Sequence, residues 1–252
     1  MNALMNAPGS ARKLLVIPAL GLAAAAVLVS TTWGQQSASG ADEDKSSSEF
    51  TVLGDGELPT AKPALGEPRA PLSAKETGYA IHVASTDASI PATATDVRGG
   101  AGPEFLFADL PDDVDSTKRL AVVHLYDYTA NVGYQQVVDL SAGRVTSSVS
   151  GKKVQAPTSA DEADVAMELA IAAGGKLAFA QEFEQVQGVP LVSTDQVEYV
   201  SGTFVYDGST VGGKECGADR CAQLMVQTGS GAYLGTWDFV VNLTDQSIVE
   251  IG

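Results

Sequence analysis

Few side chains in this sequence have types and spacing that could do chemistry. His82 and His124 are its two histidines. A serine triad needs a histidine base, a carboxylate to orient it and a nucleophile on a sharp turn. No Gly-x-Ser-x-Gly turn leads into a helical pattern, and Gly229-Ser230-Gly231 suits a hairpin turn instead. Val211-Gly212-Gly213-Lys214 lacks both the earlier glycine and the following Ser or Thr of a phosphate loop. Asp109, Asp112, Asp113 and Asp115 crowd one loop, but without the spacing and glycine of a calcium loop they read as a solvated turn. These absences argue against an enzyme, a cofactor or a bound metal.

Cys216 and Cys221 are the two cysteines, in Cys-Gly-Ala-Asp-Arg-Cys. In an oxidising compartment so close a pair reads as a short disulfide loop stapling a turn. The spacing is not Cys-x-x-Cys, and neither a second pair nor a nearby histidine completes a zinc set. A redox or metal role is the alternative reading. Tyr126, Tyr128 and Tyr134 form a candidate interaction surface, since tyrosine is enriched in interfaces. Cross-strand packing is the competing account of the same three residues. His124 alternates with Leu120, Val122, Tyr126 and Tyr128 on one strand face, and His82 follows Tyr79 on a helix. That placement would let the two histidines meet between helix and sheet, either as satisfied packing residues or as a pH-sensitive pair.

The elements that must position these residues follow a regular order. Arg12 and Lys13 precede an apolar run from Leu14 to Val29, so residues 1–33 read as a cleaved signal peptide or a single-pass anchor. Either outcome places the C-terminal part of the chain outside the cytoplasm. Residues 34–72 read as a disordered linker, with Asp42-Glu43-Asp44, Ser46-Ser47-Ser48 and four prolines at 59, 63, 68 and 71. Ser73 and Glu76 make a capping box before a helix over about residues 73–86. Strand-like runs come next at Glu104–Leu110, Arg119–Tyr128, Gly133–Leu140 and Arg144–Val149. A second capping box, Ser159 and Glu162, opens a helical region broken at Gly174-Gly175 and stopped at Gly188. Strands return at Gln196–Tyr206, Arg220–Gln227, Tyr233–Leu243 and Ser247–Ile251. The fold class is therefore α+β: two helix-plus-four-stranded antiparallel units over 73–150 and 151–252. Val137-Val138-Asp139-Leu140 in the first is mirrored by Val240-Val241-Asn242-Leu243 in the second.

The stretch from Arg119 to Glu162 resembles the N-terminal (N2/N3-type) domains that precede the catalytic domain of copper amine oxidases. The residues that carry it are Leu125-Tyr126-Asp127-Tyr128, Asn131, Tyr134, Val137-Val138-Asp139-Leu140, Gly143, Val145, Pro157-Thr158 and Asp161-Glu162. The segment ending Gln187-Gly188-Val189 also fits. The resemblance implies a cystatin-like fold, a helix wrapped by a four-stranded sheet. It does not imply oxidase chemistry. The family's quinone arises from an Asn-Tyr-Asp/Glu motif and its copper sits on three histidines, whereas this chain has no Asn-Tyr dipeptide and two histidines.

The charge bounds the partners. The chain holds 15 Lys+Arg against 31 Asp+Glu, a net charge of −16, which becomes −18 once Arg12 and Lys13 are set aside. So acidic a body repels nucleic acid and anionic lipid, and its membrane contact is confined to the N-terminal segment. The expectation is a non-catalytic extracytoplasmic module that binds a protein or small ligand at the cell envelope. An accessory or inhibitory subunit acting on a secreted or envelope enzyme is the alternative.

Overall fold

The structure is a computed structural model that describes residues 58–112 and 117–252. The expected signal or anchor, the first part of the linker, Asp113 and Asp115 lie outside the described residues. Helix α1 (Ala74–Ser85) begins at the expected capping box: the Ser73 hydroxyl accepts the Glu76 N–H, and the Glu76 carboxylate accepts the Ser73 N–H. Strands β1 (Glu104–Asp109), β2 (Leu120–Asp127), β3 (Val132–Asp139) and β4 (Arg144–Gly151) form an antiparallel meander in sequence order. Odd-numbered residues of β2 (Ala121, Val123, Leu125) pack with Tyr79, Ala80 and Ala84 of α1, as the period-two alternation of a strand demands.

The second half repeats the plan with additions. Helix α2 (Ala160–Ala173) opens on the Ser159–Glu162 capping box, and Gly174, at φ 62°, ends it. Helix α3 (Ala178–Gln187) comes next and stops at Gly188 in the left-handed conformation that glycine adopts without strain. Strands β5 (Val197–Phe204), β6 (Cys221–Thr228), β8 (Phe239–Asn242) and β9 (Ser247–Glu250) form the second sheet, and β7 (Tyr233–Leu234) also pairs with β6. The strand expected from Tyr233 to Leu243 is thus broken: Gly235–Asp238 interrupts it, with the flanks both on β6. Phe179 and Phe183 of α3, Met167 and Ala170 of α2, and Leu224, Val226 and Phe239 of the sheet fill the second core.

Two details show how alike the halves are. After β3, Asp139 accepts the N–H groups of Ser141 and Ala142, and Gly143 takes φ 62°. After β8, Asn242 accepts the Asp245 N–H, and Gln246 takes φ 50°. The mirrored Val-Val-Asp-Leu and Val-Val-Asn-Leu runs therefore end in equivalent turns.

Residues 58–72 carry no helix or strand, yet they are not loose as the linker expectation required. Leu65 and Leu72 pack on the first core, and the Arg119 guanidinium holds the carbonyls of Glu67, Ala70 and Pro71. The described part of the expected linker is a strap on the first sheet, because a buried arginine needs more acceptors than one carboxylate supplies.

Candidate functional site

Each half is locked by one buried arginine that the sequence reading passed over. Arg119, just before β2, donates from Nε and Nη2 to the Glu76 carboxylate of the α1 capping box at 2.7 and 2.9 Å. Arg220, just before β6, grips Glu162 of the α2 capping box in the same two-pronged way, and gives its remaining donors to the carbonyls of Ala156 and Pro157. The backbone carbonyls of the two arginines accept from Leu140 and Leu243, the residues that close the mirrored runs. The signal lay in the sequence: Pro-x-Ser-Ala-x-Glu occurs at 71–76 and 157–162, and Arg-x-Ala at 119–121 and 220–222. Burial pushes the Glu76 carboxyl up, but Arg119 and the N–H groups of Ser73 and Gly66 outweigh it and bring it down to about 2.

Around Arg220 lies a sealed polar cluster between the halves. Tyr128 donates its hydroxyl to Glu162 at 2.6 Å, and the Tyr126 ring stands 5.3 Å from the Arg220 guanidinium carbon. Glu104 of β1 accepts from the Ser159 hydroxyl at 2.7 Å and from the Val97 N–H. No cation is paired with Glu104 among the described residues, and burial raises its carboxyl to about 7. Burial, followed by the charge of Glu162, also drives the Tyr128 hydroxyl far above its usual range. A high carboxyl, a tyrosine and an arginine together resemble an acid–base set. Glu104, Tyr126, Glu162 and Arg220 are all at most 3% exposed, however, so no substrate reaches them in this conformation.

The remaining sequence candidates separate. Tyr126, Tyr128 and Tyr134 do not form an exposed surface. Tyr126 and Tyr134 are buried on opposite faces of the first sheet, Tyr134 against α1 and Tyr126 beside Leu106 and Ala156. The two histidines do not meet either. The residues of β2 that face α1 are odd-numbered, so His124 lies on the far face, where its ring stacks on Phe107 at 4.1 Å. His82 instead lines a solvent-open groove with Thr60, Thr86 and Arg144. No group of three or more His, Cys, Asp and Glu is arranged to hold a metal among the described residues.

Cys216 and Cys221 are joined as a disulfide, with Cα atoms 5.5 Å apart. Its role is more specific than a turn staple. Both cysteines are fully buried, and with Phe204, Tyr206, Val240, Val249 and Ile251 they cover one end of the outer face of the second sheet, the face away from α2.

The rest of that face is bare. Val200 of β5 stands directly opposite Met225 of β6, and Gln227 stands opposite both Glu198 and Tyr233. Facing residues share a face, so these side chains form one surface. Val200 is 59% exposed, Met225 55% and Tyr233 67%. Trp237, carried by the Gly235–Asp238 interruption, is 75% exposed. Its ring crowds Gly235, where a Cβ would come within 2.5 Å of it, so that glycine is needed for the approach. Interruptions of this kind re-aim side chains. The first sheet's third strand, β3, runs unbroken at the equivalent place. Sequence reading missed Trp237 because the run Tyr233–Leu243 reads as one strand by composition.

No described helix is long and apolar enough to cross a membrane. The sequence matches no protein-family model and no curated protein. Among solved structures it is similar to a copper-containing benzylamine oxidase from Hansenula polymorpha, at 13% sequence identity and a TM-score of 0.39. That likeness covers 74% of this chain and 30% of the oxidase chain. It is a weak structural resemblance and identifies no domain type, site or reaction.

Proposed function

We propose that this chain is a non-catalytic extracytoplasmic module of the cell envelope, built of two tandem cystatin-like units over 73–150 and 151–252, which binds a protein partner. It is secreted or held by its N-terminal segment. The observation that carries the reading is the bare face formed by Val200, Met225 and Tyr233, with Trp237 exposed in the interruption that follows β7. Trp, Tyr and Met are the side chains that interfaces concentrate, because they bury much apolar area for little lost freedom. Exposed together on one face, Val200, Met225 and Tyr233 cost solubility unless something covers them. The disulfide supports an oxidising compartment. The sealed state of the Glu104–Arg220 cluster supports a structural role for the groups that most resemble catalytic ones.

A photo-crosslinking residue placed at Tyr233 in the full chain, in its native envelope, tests the reading. One discrete protein adduct is expected, and Met225→Ala with Val200→Ala should weaken it by about tenfold, the loss of the apolar contacts at its centre. No adduct, or one unaffected by Met225→Ala with Val200→Ala, would remove this surface from consideration. The alternative, an accessory or inhibitory subunit of a secreted enzyme, draws on a different feature, the exposed edge of β4. An adduct from Val149 but none from Tyr233 would favour it.

A further inference from the structure

The outer edge of β4 has no pairing partner among the described residues. Every residue from Thr146 to Ser150 is exposed, and the strand has no proline and no acidic side chain to repel an incoming strand. Its register against β3 is regular from Ser147 to Gly151 and slips once at Thr146, whose hydroxyl donates to the Val137 carbonyl. The outer strands of the second sheet are better guarded. Thr158 and Ala156 hydrogen-bond along β5, and Gly252, just beyond β9, both donates to and accepts from the backbone of Val211. A long open edge is a hazard that folded proteins usually cover.

The charge along this edge is opposite to that of the molecule. Arg144 opens β4, and Lys152 and Lys153 follow its last residue, all three exposed. None of them is paired with a carboxylate among the described residues. Lys62, which donates to the Ser141 carbonyl at 3.2 Å, adds a cation near the Arg144 end. Asp139, across from Arg144, spends its carboxylate on the N–H groups of Ser141 and Ala142. In a chain of 31 acidic and 15 basic residues, a strand with cations at both ends and no acid between them is a local inversion. At the Arg144 end a solvent-open groove of about 360 Å³ separates α1 from β4, with His82 and Val83 on one side and Arg144 and Val145 on the other. Asp87 also lines this groove, but its carboxylate is taken by the N–H and hydroxyl of Ser89.

We propose that this edge receives an extended segment of a partner protein, acidic at both ends and β-branched between them, which adds to the first sheet as a fifth strand. Main-chain hydrogen bonds to the regular stretch Ser147–Gly151 supply the pairing. An apolar side chain of the segment packs beside Val149, which is 64% exposed. Its acidic residues meet Lys152 and Lys153 at one end, and Arg144 at the mouth of the groove at the other, so charge sets the register. A second copy fits worse. β4 against β4 in antiparallel register sets Arg144 of each copy against Lys152 of the other, and two bodies of net charge −16 repel. This site lies on the first half, goes beyond the bare face of the second sheet and stands without it.

Fluorescence anisotropy on the full chain in detergent micelles tests the docking. The probe is a labelled peptide, Glu-Glu-Val-Thr-Val-Thr-Val-Glu-Glu, and the control is Lys-Lys-Val-Thr-Val-Thr-Val-Lys-Lys. Attraction to the acidic molecule as a whole would favour the lysine peptide, so the order of affinities separates the edge from the net charge. The acidic peptide should bind at least about tenfold more tightly, and Lys152→Glu with Lys153→Glu should cost it about tenfold. Amide hydrogen exchange reads the strand itself. At saturating acidic peptide, the β4 amides not bonded to β3 should exchange about tenfold more slowly, while β9 stays unchanged. Binding of neither peptide, or of the lysine peptide as tightly as the acidic one, would overturn the proposal. So would β4 exchange that ignores bound peptide, or outer β4 amides already protected in the chain alone. Protection that rises with protein concentration would assign the edge to a second copy instead.

Discussion

Arg119 and Arg220 illustrate why a buried ion pair is read by what it fixes rather than by its net energy. Each guanidinium is at most 3% exposed and spends its donors on one carboxylate and several carbonyls, so nothing charged is left unanswered. The pair itself is near break-even against an apolar replacement, but removing one member strands the other in low dielectric. Arg220→Met should therefore cost about 3–5 kcal/mol in urea unfolding, because it leaves Glu162 buried with only Tyr128 and its own helix cap. Arg220→Met with Glu162→Leu should cost less than the sum of the single changes. An additive double variant would show that the two side chains are not coupled. The same pair in the first half sets an acid limit. Glu76 has a folded pKa of about 2 against an ordinary value of 4.5, so its contribution is full above 4.5 and is lost as pH falls toward 2. Glu76→Gln should flatten the stability profile across that window.

Among the elements, the most informative is the strand that breaks. β6 holds β7 on one flank of Gly235–Asp238 and β8 on the other, and the gap between them puts Trp237 into solvent. The disulfide loop covers one end of the sheet's outer face and leaves Val200, Met225 and Tyr233 bare beyond it. Replacing Cys216 and Cys221 with serine closes no other contact and removes a ring of short span, which should cost about 2 kcal/mol. Exchange should rise over residues 207–221 and at Val240 and Val249, and stay unchanged in β1–β4. Unchanged exchange at Val240 would mean that the loop does not cover the sheet. Element positions were largely legible because capping boxes and period-two alternation are local signals: both helix starts and the order of strands follow from them. The break at Gly235, the strap at 58–72 and the faces of Tyr126 and His124 were not. Each depends on which neighbour a residue meets: a broken strand keeps strand-like composition, and prolines suit a strap as well as a linker.

At the scale of the whole molecule, the halves are joined by polar groups as much as by apolar ones. Val97 of the first half packs in the second core, Arg98 pairs with Glu168 of α2, and Gln246 donates to the Val97 carbonyl. Glu104 sits at the centre of this joint, 3% exposed, bridging the Val97 N–H to the Ser159 hydroxyl at the start of α2. Its carboxyl is raised from 4.5 to about 7 by burial, with Glu162 and Asp161 adding repulsion and the two hydrogen bonds opposing it. Between those two values the folded chain holds a proton that the unfolded chain has released, so stability falls as pH rises from about 4.5 through 7. This is opposite in sign to Glu76, and the windows do not overlap. The loss is on the order of 3 kcal/mol if the joint stays closed, since holding that proton is worth about 1.4 kcal/mol for every pH unit crossed. A joint that opens instead relieves the charge by letting water in, and then the loss is smaller while exchange at Val97 and Ser159 rises above pH 7. Glu104→Gln keeps the acceptor for Val97 and carries no charge, so it should hold stability level between pH 5 and 8. If the unaltered protein is already level across that range, and Val97 exchanges equally at both ends of it, Glu104 is not a buried, proton-binding joint between the halves.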